Sequence, residues 1–270
     1  METEERTDPV TSTPDTAIPE TDTRETRHLA SEVKFLVDPI TAHRIRDWAR
    51  LRLSPDPYAG GDSRDEYHTT SLYFDTQDLD VFHRRGSFGR AKYRVRRYGH
   101  AQVVFLERKL RTPALLAKWR TSIALDDLPR LNDPSDVEWA GRWFQNRLAA
   151  RRLAPACQVS YERTARVGTS EHGPIRLTLD RNVRVVPSTA LEFRAARSHS
   201  ALEYRLILEL KFRGALPAVF KDLIEEFKLT PRPVSKFRLA LEALSRSEQT
   251  SIANAGTGLW ALGTSYQASA

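Results

Sequence analysis

Charged and apolar side chains alternate along several short stretches of this chain, and the alternation predicts strands. Residues 89–111 (GRAKYRVRRYGHAQVVFLERKLR) hold two such stretches joined at Tyr98-Gly99-His100. A period of two puts Lys92, Arg94 and Arg96 on one face of the first, and Glu107, Lys109 and Arg111 on one face of the second. Residues 32–37 read as a strand with Glu32 and Lys34 opposite Val33, Phe35 and Val37. Further strands are expected at 69–75, 118–125, 158–166, 175–180, 183–187 and 205–212. Helical spacing predicts a helix from Asp38-Pro39 to about Leu53, with Asp38 as N-cap, Pro39 at the first helical position, and Ile40, Ile45, Trp48 and Leu51 or Leu53 as its apolar side. Further helical signals lie at 79–84, 128–153, 217–227 and 238–246, and Pro55, Pro57, Gly60 and Gly61 mark a loop. Roughly eight strands with few interrupting helices predict an α+β fold: an eight-stranded antiparallel β tunnel, or barrel, with helices packed outside.

The arrangement of charge changes this picture more than its amount. Like charges side by side in a sheet repel, and a buried charge is costly without a partner. One strand bearing such a row would be an ordinary wet face. Here the pairs recur at strand spacing, through Lys118 and Arg120, Arg163, Arg176 and Asp180, Glu203 and Arg205, and Glu209 and Lys211. The apolar residues between them, Leu206, Leu208 and Leu210 for example, then face a core while the charges line a second, enclosed space. Arginine suits a space that holds phosphate, because its planar fork binds phosphate through two parallel hydrogen bonds.

Composition supports a basic body with acidic company. The 270 residues are 40% apolar and carry a net charge of +7. Residues 1–28 hold eight acids against three arginines, so a leg of −5 leaves +12 on the rest. That leg has almost no large apolar side chain and is expected to be disordered; residues 248–270 are expected to form a flexible tail, with 29–247 as the folded domain. The single Cys157 excludes an internal disulfide, and no apolar run approaches a membrane span, so a cytoplasmic protein without a membrane segment is expected. The histidines are scattered and Cys157 stands alone, so they read as loop or surface residues and not as a His/Cys metal cluster. There is no G-x-x-x-x-G-K-S/T loop, no G-x-G-x-x-G after a strand and no G-x-S-x-G elbow. Carboxylates among many cations point instead to a hard divalent ion, Mn²⁺ or Mg²⁺, bridging phosphates.

Taken in order, EVKFLV, SLYFDT, KYRVRRYG, FLERK, KWR, YERTA, RLTLD, LELKF and SKF make residues 29–246 resemble the VTC domain. That is the polyphosphate polymerase branch of the triphosphate tunnel metalloenzymes, related to the CYTH-type triphosphatases. The resemblance implies a tunnel that binds ATP and inorganic polyphosphate. It implies catalytic, phosphate-binding roles for Arg94, Arg96, Lys109 and Arg163, and further phosphate contacts from Lys34 and Lys236. Lys92, Lys118, Arg120 and Lys211 join the lining. Glu209 matches the metal-holding carboxylate; Glu32 and Glu107 are secondary metal candidates, since either can instead pair with a neighbouring Lys or Arg. Two positions depart from the wider pattern: the first strand keeps only Glu32-x-Lys34, and Pro233 stands where a second lysine is expected.

The function this implies is transfer of the γ-phosphate of ATP to a growing polyphosphate chain. A tripolyphosphatase or nucleotide triphosphatase on the same fold is the first alternative, with Glu32 or Glu107 orienting water, and a non-catalytic polyphosphate-binding module is the second. Nucleic-acid binding ranks last, because no motif that reads RNA or DNA is present and a duplex does not fit a narrow tunnel.

Overall fold

The structure is a computed structural model that describes residues 26–27, 30–57, 59, 65–111, 116–133, 135 and 138–257. Most of the acidic leg expected to be disordered, Gly60 and Gly61, and residues 258–270 of the expected tail lie outside the described residues.

In chain order the elements are β1 (Thr26–Arg27), β2 (Ala30–Val37), α1 (Pro39–Arg52), β3 (Ser54–Pro55), β4 (Glu66–Asp75), α2 (Asp80–His83), β5 (Ala91–Tyr98), β6 (Val103–Arg111) and β7 (Leu116–Ala124). A 3-10 run at Leu125–Asn132 then leads to α3 (Arg142–Ala150), β8 (Ala154–Ser170), β9 (Gly173–Pro187), β10 (His199–Ser200), β11 (Leu206–Arg213), α4 (Ala218–Glu226) and α5 (Lys236–Thr257). Eight long strands form one antiparallel path, β7-β6-β5-β4-β8-β9-β11-β2. The path is curled but not closed by backbone pairing among the described residues, because β1 occupies the free edge of β7 at Thr26↔Lys118. Register shifts at Tyr73/Phe74 and Ser160/Glu162 mark bulges, which bend the long strands and help the sheet curl.

Period-two alternation decides which side of the curl each residue takes. On β11, Leu208 and Leu210 are fully buried in a core with Phe35 and Val37 of β2, Leu177 and Leu179 of β9, Trp48 of α1 and Phe220 of α4. Trp48 Nε1 donates to Glu226 Oε2 at 2.9 Å, which ties α1 to α4. A second core sets Leu72, Phe74, Tyr93, Val95, Val104 and Leu106 against Phe144 and Leu148 of α3. Each fully buried large apolar side chain of this kind stabilises the fold by roughly 1.5–3 kcal/mol. The alternate positions on the same strands carry the charges inward.

Several expectations need correction. The cap of α1 is as expected, with Asp38 accepting from Thr41 N at 2.9 Å and Pro39 next. Of its expected apolar side, Ile45, Trp48 and the Leu53 alternative are buried, with Ala42 and Ala49 beside them, while Ile40 and Leu51 are exposed. The small Ala42 and Ala49 let the helix lie close to the sheet, so its contact stripe is centred away from the larger residues at its ends. Residues 175–180 and 183–187 are one strand, because the left-handed Asn182 (φ 51°) bends the chain without ending its pairing. The helical region 128–153 contains only α3 as α-helix, and Pro129 sits in the 3-10 run before it. The last helix continues past Arg246 to Thr257.

Candidate active site

Across β5, β6 and β7 the register places Lys92 beside Lys109 and Lys109 beside Lys118. One step along, Tyr73, Arg94, Glu107 and Arg120 form the next row, and Ser71, Arg96 and Phe105 the one after. Three lysines directly opposite one another are destabilising unless an anion intervenes. The protein supplies partial relief at each: Lys92 Nζ donates to Ser235 Oγ at 2.7 Å, Lys109 Nζ lies 3.0 Å from Glu32 Oε2, and Lys118 Nζ lies 3.1 Å from Glu107 Oε1. Relief is least at Lys92, where the partner is neutral. Burial, with Lys34, Lys109 and Arg94 nearby, brings its ammonium down to about 7. Burial and neighbouring cations also lower Lys109 and Lys118, each against the pull of its carboxylate.

The opposite wall comes from β2 and β11. Lys34 Nζ sits 2.7 Å from Glu32 Oε1 and 3.3 Å from Glu209 Oε2, while Lys211 holds Glu209 Oε1 at 2.7 Å. The Glu32–Lys109 pair joins β2 to β6, so side chains span the gap that backbone pairing leaves open. Burial and the neighbouring Glu209 push Glu32 up, but Lys34, Lys109 and Lys211 outweigh them and bring it to about 2. Glu209 is likewise depressed, with burial overcome by Lys211 and Lys34. Both carboxylates are therefore ionised at neutral pH.

One end of the space is shut by the start of α5. Phe237 is buried and stacks on Tyr73 with ring centroids 5.2 Å apart, and Lys236 pairs with Asp180. Asp180 is fully buried and takes the fork of Arg163 at 2.6 and 2.8 Å. Arg96, 6% exposed, donates to Ser71 Oγ at 3.2 Å and Tyr161 Oη at 3.1 Å. Towards the other end, Tyr98 accepts from Arg120 at 3.1 Å; burial would raise its phenol, yet Arg96 and Arg120 hold it near 8. The bore comprises an inner cavity of about 110 Å³ and an outer one of about 400 Å³ that share Arg94, Arg96, Lys109 and Arg163.

All thirteen residues singled out from the sequence line one or both cavities: Arg94, Arg96, Lys109, Arg163, Lys34, Lys92, Lys118, Arg120, Lys211, Lys236, Glu209, Glu32 and Glu107. They do not stand equally free. Arg163 commits its fork to Asp180, and Lys236 leans on the same carboxylate. Of the two roles open to the secondary metal candidates, metal ligand or partner of a cation, both show pairing: Glu32 with Lys34 and Lys109, and Glu107 with three cations. The Glu107 oxygens face Arg94 at 2.7 Å, Lys118 at 3.1 Å and Arg120 at 3.2 Å, so protein cations surround it. Glu32 and Glu209 lie together across Lys34, and they are the pair whose donor chemistry fits a hard divalent ion. No group of three His, Cys, Asp or Glu among the described residues makes a metal site alone, so the phosphates of a ligand would have to complete the coordination. Tyr73, Tyr98, Tyr161, Arg176, Asp180 and Ser235 complete the surroundings. Of these, Arg176 and Asp180 carried a signal, since they alternate with the buried Leu177 and Leu179; the tyrosines read as ordinary strand residues.

A curled antiparallel sheet with helices outside and a cation-lined bore inside defines a tunnel fold with a strongly basic interior. The chain belongs to the VTC domain family, whose model matches residues 29–245. Among solved structures, it is similar to a candidate adenylate cyclase from Bacillus halodurans, with 15% identity, a TM-score of 0.49, and coverage of 77% of this chain and 95% of that one. It is also similar to a candidate adenylyl cyclase from Hippeastrum described as having a dominant triphosphatase activity, with 13% identity, a TM-score of 0.46, and coverage of 78% and 94%. A Pyrococcus horikoshii protein gives 13% identity and a TM-score of 0.42 over 79% and 98%. No curated protein matches the chain. No helix among the described residues is long and apolar enough to cross a membrane.

Proposed function

We propose that this chain is a polyphosphate polymerase that uses ATP as phosphoryl donor and draws on cytoplasmic ATP. The observation that supports this best is the register-aligned row Lys92–Lys109–Lys118 beside Arg94 and Arg96, inside an enclosed bore. Such a row is only partly relieved by Ser235, Glu32 and Glu107, so a bound polyanion would stabilise it further. A terminal oxygen of the chain attacks the γ-phosphorus, the bond from γ-phosphorus to the β–γ bridging oxygen breaks, and ADP leaves with that oxygen. No proton is transferred. The cations offset the repulsion between two polyanions, which is the main obstacle to the reaction. Glu32 and Glu209 are the residues placed to hold a divalent ion, which when bound supplies further neutralisation of phosphate charge.

The carboxylates also favour a phosphate nucleophile over water. Glu32, Glu107 and Glu209 are all depressed far below neutrality, which makes them weak bases for activating water. Lys92 is lowered to about 7, and a bound phosphate raises it back into the charged form. Incubating the protein with γ-labelled ATP and Mn²⁺ is expected to give an acid-stable polymer sensitive to polyphosphatase. Orthophosphate released from ATP or tripolyphosphate without polymer would move the assignment to the triphosphatase reading; tight binding without turnover would move it to the binding module.

Lys92 gives a separate prediction with a definite sign. Its ammonium lies below the ordinary lysine value in the ligand-free protein, and an anion restores it, so binding above pH 7 takes up a proton. Tripolyphosphate affinity should fall as pH rises from 8 to 9.5, by up to about tenfold per unit from this group. In the ligand-free protein the sign reverses. The cost of holding charged Lys92 is fully present below pH 7 and relieved as pH rises toward the unfolded value, so this group adds stability across that interval. Calorimetry in two buffers of different ionisation enthalpy reads the uptake directly, and K92M should reduce it. An unchanged uptake in K92M would remove Lys92 from the account.

A further inference from the structure

A second cavity of about 710 Å³ lies on the outer side of the sheet, between the first half of α1, the middle of β9 and the segment before β11. Its lining includes Arg46, Arg181, Arg184 and Arg205 against one carboxylate, Glu203, so its excess charge is again positive. It shares no lining residue with the two cavities of the bore. The arginines differ in how firmly they are held. Arg181 is clamped by Glu66 and Glu162, and Arg184 grips Ser198 through two bonds of 2.6 Å. Arg205 is exposed, and neither a hydrogen bond nor an ion pair holds it among the described residues. Arg46 reaches His43 Nδ1 at 2.8 Å through one terminal nitrogen, while its Nε is buried without a hydrogen-bond partner.

Beside Arg205 stands Tyr204, 88% exposed and in the left-handed region at φ 48°. A tyrosine there is both unusual in backbone and wasteful in exposure: it costs roughly 1–2 kcal/mol and leaves a large ring in water. Asn182, at φ 51°, lines the same cavity. Loosely held guanidinium groups and a projecting ring at one cleft are complementary to a ligand with phosphate at one end and a flat aromatic group at the other.

From this cleft we infer that the protein carries a nucleotide site on its outer surface, distinct from the bore. Arg46 and Arg205 bind the phosphates, Arg184 adds charge from its anchored position, and Tyr204 stacks on the base. The site stands whether or not the bore polymerises phosphate, because none of its residues belongs to the bore. Irradiating the full chain with 8-azido-ADP and mapping the modified peptides tests it. Label is expected on the peptide holding residues 199–206, competed by ADP more strongly than by equimolar inorganic tripolyphosphate, which lacks a ring. R46A with R205A should lower that label about tenfold or more, and Y204A about fivefold or more, with labelling of the bore strands unchanged. Label confined to the bore strands, or label at 199–206 that ADP fails to compete, overturns the inference. Competition by tripolyphosphate equal to that by ADP overturns the nucleotide and leaves a bare phosphate site.

Discussion

Replacing Arg94 by alanine should lower the rate of polymer formation by about a hundredfold or more, the scale expected when one preorganised charge partner of a transferring phosphoryl group is lost. Arg94 lines both cavities of the bore, and its neighbours in register are Tyr73 and Glu107. From the sequence, its removal is expected to cost activity and leave the fold intact; the structure adds that Arg94 also has buried partners. Its Nε donates to Glu107 Oε2 at 2.7 Å, its Nη1 reaches Tyr73 Oη at 3.3 Å, and Glu107 is only 2% exposed. Truncation therefore also removes a buried partner, at a cost of about 1–3 kcal/mol. The fold should survive, because Lys118 and Arg120 still face the other oxygen of Glu107. The two effects separate in a pair of variants. Arg94→Lys retains a positive charge but not the two-pronged donor, so it should recover most of the stability and little of the rate. An R94A protein that is folded and makes polymer within fivefold of the parent rate would remove Arg94 from the reaction.

The contrast between those two readings of Arg94 shows which features a sequence can expose. Alternation along one strand is local, and it correctly separated the faces of β5, β6 and β11, because a period of two fixes which side chains share a side. It therefore grouped Lys92 with Arg94, and Glu209 with Lys211, before any strand had a neighbour. Register is not local. That Lys92, Lys109 and Lys118 fall in one row, or that Arg163 meets Asp180, depends on turn lengths and bulges between strands that hydrophobic pattern does not encode. Hence the sequence does not show that Arg163 is already paired with Asp180, and it leaves open whether Glu107 holds a metal or pairs with cations, three of which face it. The same limit explains Ile40 and Leu51. Their spacing allowed a buried face, but the packing of α1 against the sheet chose Ala42 and Ala49 instead.

The largest stability effect is expected at Asp180. This carboxylate is fully buried, binds both prongs of Arg163 and pairs with Lys236, two cations that are themselves only 8% and 9% exposed at their side chains. Burial would raise it, but Arg163 and Lys236 bring it to about 2. Its contribution is therefore present above the ordinary aspartate value and lost as pH falls through about 2. Asp180→Ala strands two buried cations without their counter-charge, which costs about 3–5 kcal/mol, or roughly 10 °C in melting temperature for a domain of this size. Because Arg163 and Lys236 line the inner cavity, an anion entering the bore can replace the missing carboxylate. Tripolyphosphate should consequently raise the melting temperature of D180A by more than it raises that of the parent, and sodium chloride at equal ionic strength should not. If D180A melts within two or so degrees of the parent, the buried triad is not what anchors α5 over the end of the bore. If it melts low but gains no more from tripolyphosphate than the parent does, Arg163 and Lys236 serve packing alone, and the phosphate-binding surface ends at Arg94, Arg96 and the lysine row.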